Sequence, residues 1–357
     1  FGLLPPEGVL FTLGRPSGEK SPPRRAFGLL PPEGVLFTLG RPSGKKGKKM
    51  IARIAPMFAR AADSDLWHSF KRSPGAIIAA AVTLAILLGA LFAPVIAPHN
   101  PFDLASLSIM DANTPPAWEE GGSPDFLLGT DDQGRDILSA VLYGSRVSLL
   151  VGFASVLFSM VLGVTLGLIS GYAGGRIDSF IMRIADVQLS FPAILVALLI
   201  DGVARGLLPR DMHDQLALYV LIFAIGISGW VQYARTVRGS TLVERNKEYV
   251  QAARLIGIGP VTILRRHILP NVMGPVLVIA TIHLAIAIIT EATLSFLGVG
   301  VPVTSPSLGT LIRIGNSYLF SGMWWISIFP GIALVALVLS VNLLGDWLRD
   351  ALNPKLR

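Results

Sequence analysis

The sequence contains no motif that enzymes use to bind phosphate, zinc or an acyl group. Its closest approach to a phosphate-binding loop is GRPSGKK at residues 40–46. That stretch has one residue too few between its glycines and lacks the Ser or Thr that would hold magnesium. There is no His-Glu-x-x-His pair, no Gly-x-Ser-x-Gly turn and no cysteine, and the five histidines are scattered. We therefore predict no catalytic residue, no metal site and no enzymatic activity for this chain.

Two ionisable residues lie within or at the end of a predicted membrane span, where burying a charged side chain in lipid costs free energy. Glu291 follows 21 uncharged residues, and His283 lies eight residues earlier, on roughly the same face of a helix. Ionisable groups inside a membrane often mark a transport path. One interpretation puts Glu291 and His283 at the outer mouth or gate of such a path. The other has Glu291 bonded to a neighbouring helix, and we favour it because a carboxylate near the interface is not expensive.

A further polar group consists of Asp131, Asp132, Arg135 and Asp136. It lies in an acidic segment, residues 98–140, which carries eight acidic residues and one basic residue. These side chains could contact an external partner or cap a cavity, or they could fold onto one another as Asp–Arg pairs. Exposed pairs of this kind are weak, so the sequence leaves both interpretations open.

The elements that must hold these side chains are membrane helices. Hydrophobic residues make up 52% of the chain, charged residues 15%, and the mean hydropathy is +0.61. A spanning helix needs about 20 mostly apolar residues. The uncharged runs that meet this length are Ala76–Ala97, Val147–Ser170, Gln215–Ala234, Pro270–Thr290 and Trp324–Leu344. A shorter run, Val187–Ile200, reaches spanning length only by including Asp186 and Arg183. The sequence predicts an all-α integral membrane protein with six transmembrane helices.

Small residues recur in the second of these runs, between Gly152 and Gly167. Such residues allow another helix to approach closely, although they are common in membrane helices generally.

Loop charges predict the orientation of the spans, because basic loops stay in the cytoplasm. Residues 235–267 carry seven basic and two acidic residues, the reverse of the acidic 98–140 segment. The cytoplasmic parts are therefore the N-terminus, the C-terminus and the loops 171–184 and 235–268. The external parts are 98–145, 202–214 and 298–322.

The N-terminal end is organised differently, since residues 1–18 recur unchanged at 27–44. Its Pro, Gly and basic residues disfavour a packed fold. We expect this duplicated segment to be disordered, or to be upstream sequence translated ahead of a natural start at Met50 or Met57. The alternative is a basic arm that touches anionic lipid. The expected divisions are the duplicated segment 1–49, a cytoplasmic amphipathic segment 50–74 and a six-helix membrane domain 75–357.

The loop before the fifth span, residues 235–269, is patterned for structure. Glu244–Leu255 has helical character, with an expected apolar stripe at Val250, Ala253 and Ile256.

A break and a second helix follow in the same loop. Gly257 and Gly259 free the backbone, and the proline after them lacks a donor, so the first helix must end there. Val261–His267 is expected to form a second short helix, and Pro270 to mark the start of the fifth span. Such an element could transmit a push into the spans on either side, or it could simply lie on lipid.

This loop resembles a known family signature. The string QAARLIG at residues 251–257, followed by LP at 269–270, resembles the EAA loop of ABC-importer permeases. Gln251 stands where that family has Glu, and His267 where it usually has Ile; the peptide-importer branch tolerates both. Other stretches resemble the C-type subunit of that branch: PPAWEEGGSPDFLLGTDDQGRDILS at 115–139, YGSRVSLLVG at 143–152, SFLGVGVP at 295–302 and GDWLRDALNPKLR at 345–357.

The resemblance implies a type I ABC-importer permease fold, whose EAA loop docks on a separate ATP-binding subunit. The docking residues that it implies are Glu248, Gln251, Ala252, Ala253, Arg254, Gly257, Gly259 and Pro270. It also implies a second permease subunit in a heterodimer, two ATP-binding subunits that carry ATP and Mg²⁺, and an external binding protein, which the acidic external group could contact. It implies no cofactor on this chain, no nucleic-acid partner and a multi-pass position in the bacterial inner membrane.

On this resemblance, the chain forms half of a pathway for di- or oligopeptides and couples it to the ATPases by alternating access. The same permease type could instead move nickel chelates, glutathione or another small solute. A secondary transporter would need carboxylate relays or a repeat of the whole unit, and neither is seen. A scaffolding protein would leave the patterned loop unexplained.

Overall fold

The structure is a computed structural model that describes residues 65–102, 107–209, 212–302 and 304–352. The duplicated segment 1–49 lies outside the described residues. Within the described residues, the regular structure is helical apart from one isolated bridge between Thr130 and Asp136. This confirms the all-α prediction.

The helices are numbered in chain order. They are α1 Asp65–Arg72, α2 Pro74–Leu91, α3 Ala93–Ile96, α4 Ile137–Ala173, α5 Gly175–Leu189, α6 Ala193–Leu207, α7 His213–Glu244, α8 Glu248–Leu255, α9 Pro260–Ile263, α10 Leu269–Phe296, α11 Leu308–Asn316 and α12 Trp325–Leu352. A π-helical turn at Leu264–Ile268 joins α9 to α10. Short 3-10 turns lie at Ile109–Asp111 and Leu319–Ser321.

In the described residues, five helices are long and apolar enough to cross a membrane: α2, α4, α7, the continuous helix from α9 to α10, and α12. The pair α5 and α6 would be a sixth crossing, but the two helices meet at a bend of 93°. The predicted span over Val187–Ile200 is therefore not one straight helix, because it lies across the bend between α5 and α6. The break precedes α6 because Pro192 cannot donate the bond that would continue α5, and the residue before a proline disfavours helical geometry.

The helices also extend beyond the charge-free runs that revealed them. Helix α4 begins at Ile137, well before Val147, and α7 continues past Ala234 to Glu244. Charge-free runs mark the part of a helix that suits lipid. A helix itself ends only where capping or breaking residues occur, so these two run on into polar sequence.

Helix α4 is the centre of the bundle and contacts α2, α5, α7, α10, α11 and α12. Its glycines at 163, 167 and 171 face α7. A Cβ atom on Gly163 would lie 2.4 Å from the Trp230 carbonyl oxygen, and one on Gly167 would lie 2.6 Å from that of Ala234. Helices in lipid associate through close backbone approach of this kind. Another helix does approach the small residues of this span.

Two serines of α4 add hydrogen bonds to the same interface. The Ser155 hydroxyl donates to the Ile222 carbonyl at 3.3 Å, and the Ser159 hydroxyl donates to the Gly226 carbonyl at 2.7 Å. Each bond reaches a backbone oxygen of α7, so the serines help to fix the register of α4 against α7.

The short helix α1, the first in the described residues, packs on the end of the last span. The Phe70 ring meets Trp347 edge-on, with centroids 5.1 Å apart, and stacks on Trp67 at 5.8 Å. Lys71 lies over the Trp67 ring at 5.1 Å. These contacts tie the start of α2 to the C-terminal end of α12.

Candidate functional site

The short helix α8 turns one apolar face toward the bundle. Val250 and Ala253 are buried in a cluster with Leu168 of α4 and Val237 of α7. Ile256 is 76% exposed, so the predicted apolar stripe is wrong at that position. Ile256 follows the last helical residue, where the chain turns away from the bundle.

The boundaries of this helix also differ from the prediction. Glu244 is the last residue of α7, and α8 begins only at Glu248, after a break at residues 245–247. The predicted helix over Glu244–Leu255 is therefore interrupted. Glu244 ends α7, a turn follows, and α8 covers only Glu248–Leu255.

The turn after α8 is a Schellman motif. The Gly257 N–H donates to the Arg254 carbonyl, and the Ile258 N–H donates to the Ala253 carbonyl, both at 3.0 Å. This motif needs a left-handed residue just past the helix, and Gly257 has a φ of +81°. Gly259 has a φ of −64°, which any residue adopts. Only the first of the two predicted glycines is therefore demanded by the backbone.

The second predicted short helix, Val261–His267, is wrong as a separate element. The chain from Pro260 to Phe296 is one continuous helix of 37 residues. Pro270 lies inside it, where its missing N–H and its ring disturb the preceding turn. This accounts for the π-helical turn at Leu264–Ile268. The turn at Gly257 is therefore followed, from Pro260 onward, by a helix that continues into a candidate membrane span.

The outward side of this element presents apolar side chains to the surroundings. Leu255 is 87% exposed, and Ile256 and Val261 are each 76% exposed. Gln251 and Ala252 beside them are exposed as well. We call these five residues the exposed tip. Large apolar groups left exposed in this way mark a surface for a protein partner or a membrane.

The base of α8 is fixed by a polar network. The Glu244 carboxylate accepts from Lys247 Nζ at 2.5 Å and from the Tyr249 hydroxyl, which in turn accepts from Asn271 Nδ2 at 2.9 Å. The hydrogen bonds from Lys247 and then Tyr249 lower the pKa of Glu244. Burial, followed by the bond to Glu244, raises the pKa of Tyr249. The network joins the ends of α7, α8 and α10 through a carboxylate that stays ionised at neutral pH.

The structure divides the residues that the resemblance implied for docking into exposed ones and a buried one. The exposed ones are Glu248, Gln251, Ala252, Arg254, Gly257, Gly259 and Pro270. Ala253 is buried and has no side-chain surface to offer. The Arg254 guanidinium lies over the ring of Tyr172. Pro270 belongs to the helix behind the turn. Docking by these residues stays a prediction.

In the external acidic segment, Asp131 and Arg135 are paired with each other. Arg135 Nε donates to Asp131 Oδ2 at 2.6 Å, while the backbone N–H groups of Gln133 and Arg135 donate to Oδ1 at 2.9 Å. Both charged side chains are buried. For these two residues, the structure shows the Asp–Arg pairing that the sequence left open.

The other two members of the group have different roles. Asp136 is buried and caps α4, accepting from the Ser139 N–H at 2.9 Å. The Tyr318 hydroxyl donates to Asp132 at 3.2 Å, and the charge of Asp132 raises the pKa of that tyrosine. Only Asp132 is not buried. Contact of the group with a binding protein stays a prediction.

Glu291 links three parts of the bundle. Its fully buried carboxylate accepts from the Ser148 hydroxyl of α4 and the Ser295 hydroxyl of α10, both at 2.7 Å. These hydroxyls accept in turn from the backbone N–H of Leu308 at 3.3 Å and of Val301 at 3.4 Å. Glu291 is thus bonded to a neighbouring helix and holds the segment leading into α11. A role at the mouth of a pathway stays a prediction.

His283 is buried two turns below Glu291. Its Nδ1 lies 3.2 Å from the Tyr233 hydroxyl, and its ring fills the space beside Gly229, where a Cβ atom would lie 2.0 Å from His283 Cε1. The imidazole joins α10 to α7 at a point where the backbone leaves room for it. Its predicted role in gating is likewise untested.

Replacing Glu291 with leucine is expected to lower the free energy of unfolding by about 1–3 kcal/mol, because the buried Ser148 and Ser295 hydroxyls lose their acceptor. Glu291→Gln keeps one carbonyl oxygen and should cost clearly less. Thermal unfolding of the purified assembly compares the two variants. Equal losses would contradict the role of the carboxylate as the link between α4 and α11.

Two ion pairs between distant parts of the chain could not be predicted from the sequence. Arg238 donates to both oxygens of Asp178, at 2.5 and 2.6 Å, across 60 positions of sequence. Arg235 Nη2 donates to Asp186 at 2.5 Å. For Asp178 and Arg238, the one available signal was their opposite charge on two loops that are both predicted to be cytoplasmic. Among the described residues, no group of three or more His, Asp or Glu is placed to hold a metal ion.

Comparisons with known proteins agree with this arrangement. Residues 163–357 match the family described as "Binding-protein-dependent transport system inner membrane component". Residues 64–116 match the "N-terminal TM domain of oligopeptide transport permease C".

Individual relatives are similar over most of their length. Across 293 residues, 82% of this chain, it is 41% identical to the dipeptide transport system permease protein DppC of Escherichia coli, of which the match covers 93%. It is 39% identical to the Haemophilus influenzae DppC, with 95% covered. It is 37% identical to the oligopeptide transport system permease protein OppC of Bacillus subtilis, with 90% covered. A chain of the inward-facing MetNI methionine ABC transporter aligns at 20% identity, covering 60% of this chain and 96% of its own, with a TM-score of 0.47.

The chain therefore belongs to the inner-membrane components of binding-protein-dependent transport systems, the permease subunits of bacterial ABC importers. Within them it is a C-type subunit of the dipeptide and oligopeptide type. As such it is a multi-pass inner-membrane protein that works with ATPase subunits and a binding protein. Family membership decides against the secondary transporter and the scaffold.

Proposed function

We propose that this chain forms half of the translocation pathway of an importer for di- and oligopeptides and couples that pathway to ATP hydrolysis by alternating access. One observation carries the coupling role: the exposed tip sits on a rigid Schellman turn at Gly257, and the next helix runs unbroken into the membrane. The relatives named for dipeptide and oligopeptide transport support the cargo.

The partners follow from what this chain lacks. It has no phosphate loop, so ATP and Mg²⁺ would be held by two separate ATP-binding subunits. A second permease subunit would complete the pathway as a heterodimer. An external binding protein would deliver the cargo.

Docking on the ATPase would use the exposed tip together with Glu248 and the turn at Gly257. Ala253 would contribute indirectly, because its buried side chain anchors α8 to the bundle. Pro270 would contribute by shaping the helix that follows the turn. Gly259 would lie beside the docked surface, where its φ of −64° suits any residue. Leu255, Ile256 and Val261 would supply most of the apolar contact, since they are the large side chains left uncovered.

The transport cycle would begin with ATP binding, which closes the two ATPases and moves their docked loops together. The continuous helix from Pro260 to Phe296 would carry this motion into the bundle and turn the cavity outward to receive peptide. Hydrolysis would release the loops and reopen the cavity toward the cytoplasm. The protein's own contribution is mechanical and needs no bond chemistry.

The proposal is tested by uptake into vesicles that contain the whole importer, with the binding protein present and ATP supplied to the ATPase side. Labelled di- and oligopeptides should accumulate only with ATP, and unlabelled peptide should compete. A nickel chelate and glutathione serve as alternative cargo in the same vesicles. Uptake of either, with no uptake of peptide, would overturn the assignment of cargo and leave the coupling role standing.

A further inference from the structure

The last turn of α4 touches the coupling helix α8 directly. The Arg254 guanidinium carbon lies 4.9 Å from the centroid of the Tyr172 ring. A guanidinium within about 6 Å of an aromatic face is attracted by the electron-rich ring. Arg254 is therefore turned toward the permease's own bundle, at a position where the family resemblance implied a contact with the ATPase.

The backbone around Tyr172 is held firmly. Arg245 Nη1 donates to the carbonyl of Gly171 at 2.8 Å and to that of Tyr172 at 3.3 Å. These belong to the carbonyls that a helix leaves unpaired at its C-terminal end. Helix α4 then stops at Ala173, because Gly174 takes a φ of +68°. The backbone that carries the Tyr172 ring is therefore held in place beside Arg254.

The start of α5, the first helix of the bent pair α5 and α6, lies beside this end of α4. Two hydrogen bonds join Arg238 of α7 to Asp178 of α5, and the Ser170 hydroxyl of α4 donates to that carboxylate. The ends of α4, α5 and α7 are therefore tied together beside Tyr172. The end of α4 that carries Tyr172 is therefore connected, through Ser170 and Asp178, to the helix that leads into the 93° bend.

Helix α4 also reaches the opposite side of the bundle. Its 37 residues span about 55 Å at 1.5 Å per residue. At its external end it is capped by Asp136, and its Ser148 contacts the start of α11. One rigid helix thus connects the Tyr172 contact to the external segment.

We propose that the contact between Arg254 and Tyr172 is a second mechanical link from the docked loop into the bundle, parallel to the helix from Pro260 to Phe296. This inference rests on the proposed coupling function. It assigns Arg254 and Tyr172 as positioning residues that pass the motion of α8 to α4, and through α4 to the α5–α6 bend and the external side. The helix from Pro260 to Phe296 and the contact between Arg254 and Tyr172 would then move two parts of the cavity together.

The test measures ATP hydrolysed per molecule of cargo taken up by vesicles containing the full importer. Tyr172→Leu removes the aromatic face, and Arg254→Met removes the charge while keeping the chain length. Each should raise the ratio of ATP hydrolysed to cargo taken up about two- to fivefold, because losing a partly exposed cation–π contact changes an equilibrium by about that factor. The double variant should be no worse than the single ones, because both remove the same contact. Tyr172→Phe keeps the ring and should retain the wild-type ratio.

Three results would overturn the inference. They are an unchanged ratio in Tyr172→Leu or Arg254→Met, a Tyr172→Phe variant as poor as Tyr172→Leu, or loss of the ATPase subunits on purification of Arg254→Met. If Tyr172→Leu fails to fold, the exposed Arg254→Met substitution decides the question alone. Wild-type uptake in the same vesicles tests the proposed function separately, since the ratio is read with whichever cargo the wild type carries.

Discussion

Replacing Gly257 with valine is expected to abolish ATP-driven uptake while leaving the chain inserted in the membrane. The φ of +81° at this position is costly for residues with a Cβ, by roughly 1–2 kcal/mol, and more so for a β-branched side chain. Nothing lies within 4 Å of a Cβ built on Gly257, so the loss would come from the backbone rather than from a clash. Without the Schellman turn, the exposed tip would point away from its partner.

Two matched variants isolate the backbone effect. Gly257→Asn should keep part of the uptake, because asparagine tolerates the left-handed region. Gly259→Ala should transport like the wild type, since its φ is −64° and its surroundings are open. Vesicle uptake is compared with the amount of permease in the membrane fraction. Normal uptake by Gly257→Val, or an equal loss in Gly259→Ala, would contradict the role of the turn.

Replacing Gly167 with leucine is expected to prevent the bundle from packing. Its Cβ atom would lie 2.6 Å from the Ala234 carbonyl oxygen and 2.8 Å from Val237 Cβ, and the rest of the side chain has no space to enter. Backbone atoms cannot move aside as a flexible side chain can. The cost should reach or exceed about 3 kcal/mol, the upper end of ordinary overpacking. Helix α4 would separate from α7. Both proposed links, the helix from Pro260 to Phe296 and the contact between Arg254 and Tyr172, need the bundle to be packed.

Gly239 on α7 provides the control for this prediction. It is exposed, and no atom lies within 4 Å of a Cβ built on it, so Gly239→Leu adds the same side chain without a clash. The yield and melting temperature of the purified importer report on both variants. If Gly167→Leu were as stable as Gly239→Leu, the close approach of α4 and α7 would not hold the bundle together.

The membrane helices were largely predictable because lipid imposes a simple rule on composition. Long charge-free runs revealed the five long helices, from the run beginning at Ala76 to the run ending at Leu344. The rule says nothing about where a helix stops outside the lipid, and so the extension of α7 to Glu244 was missed. It also failed at the bend before α6, where Pro192 divides a run that hydropathy alone treats as continuous.

The candidate site was predictable only where its cause is local. The turn at Gly257 follows from the residues around it, and its glycine was recognised from the sequence. The contact between Arg254 and Tyr172 joins residues far apart in the chain, which no helical periodicity can connect. Burial was equally hidden: Asp131 looks like any residue of an acidic loop, and only the folded segment shows it enclosed with Arg135.

The central claim is that the exposed tip meets an ATPase subunit, and a single introduced thiol tests it directly. The chain has no cysteine, so Ile256→Cys creates one reactive site on that tip. A short thiol-to-amine crosslinker applied to the assembled importer should join the permease to an ATPase subunit. Phe320→Cys, at a position 97% exposed on the predicted external side, should give no such product. A permease that is not crosslinked to the ATPase through residue 256, in an importer that still transports, would contradict the account.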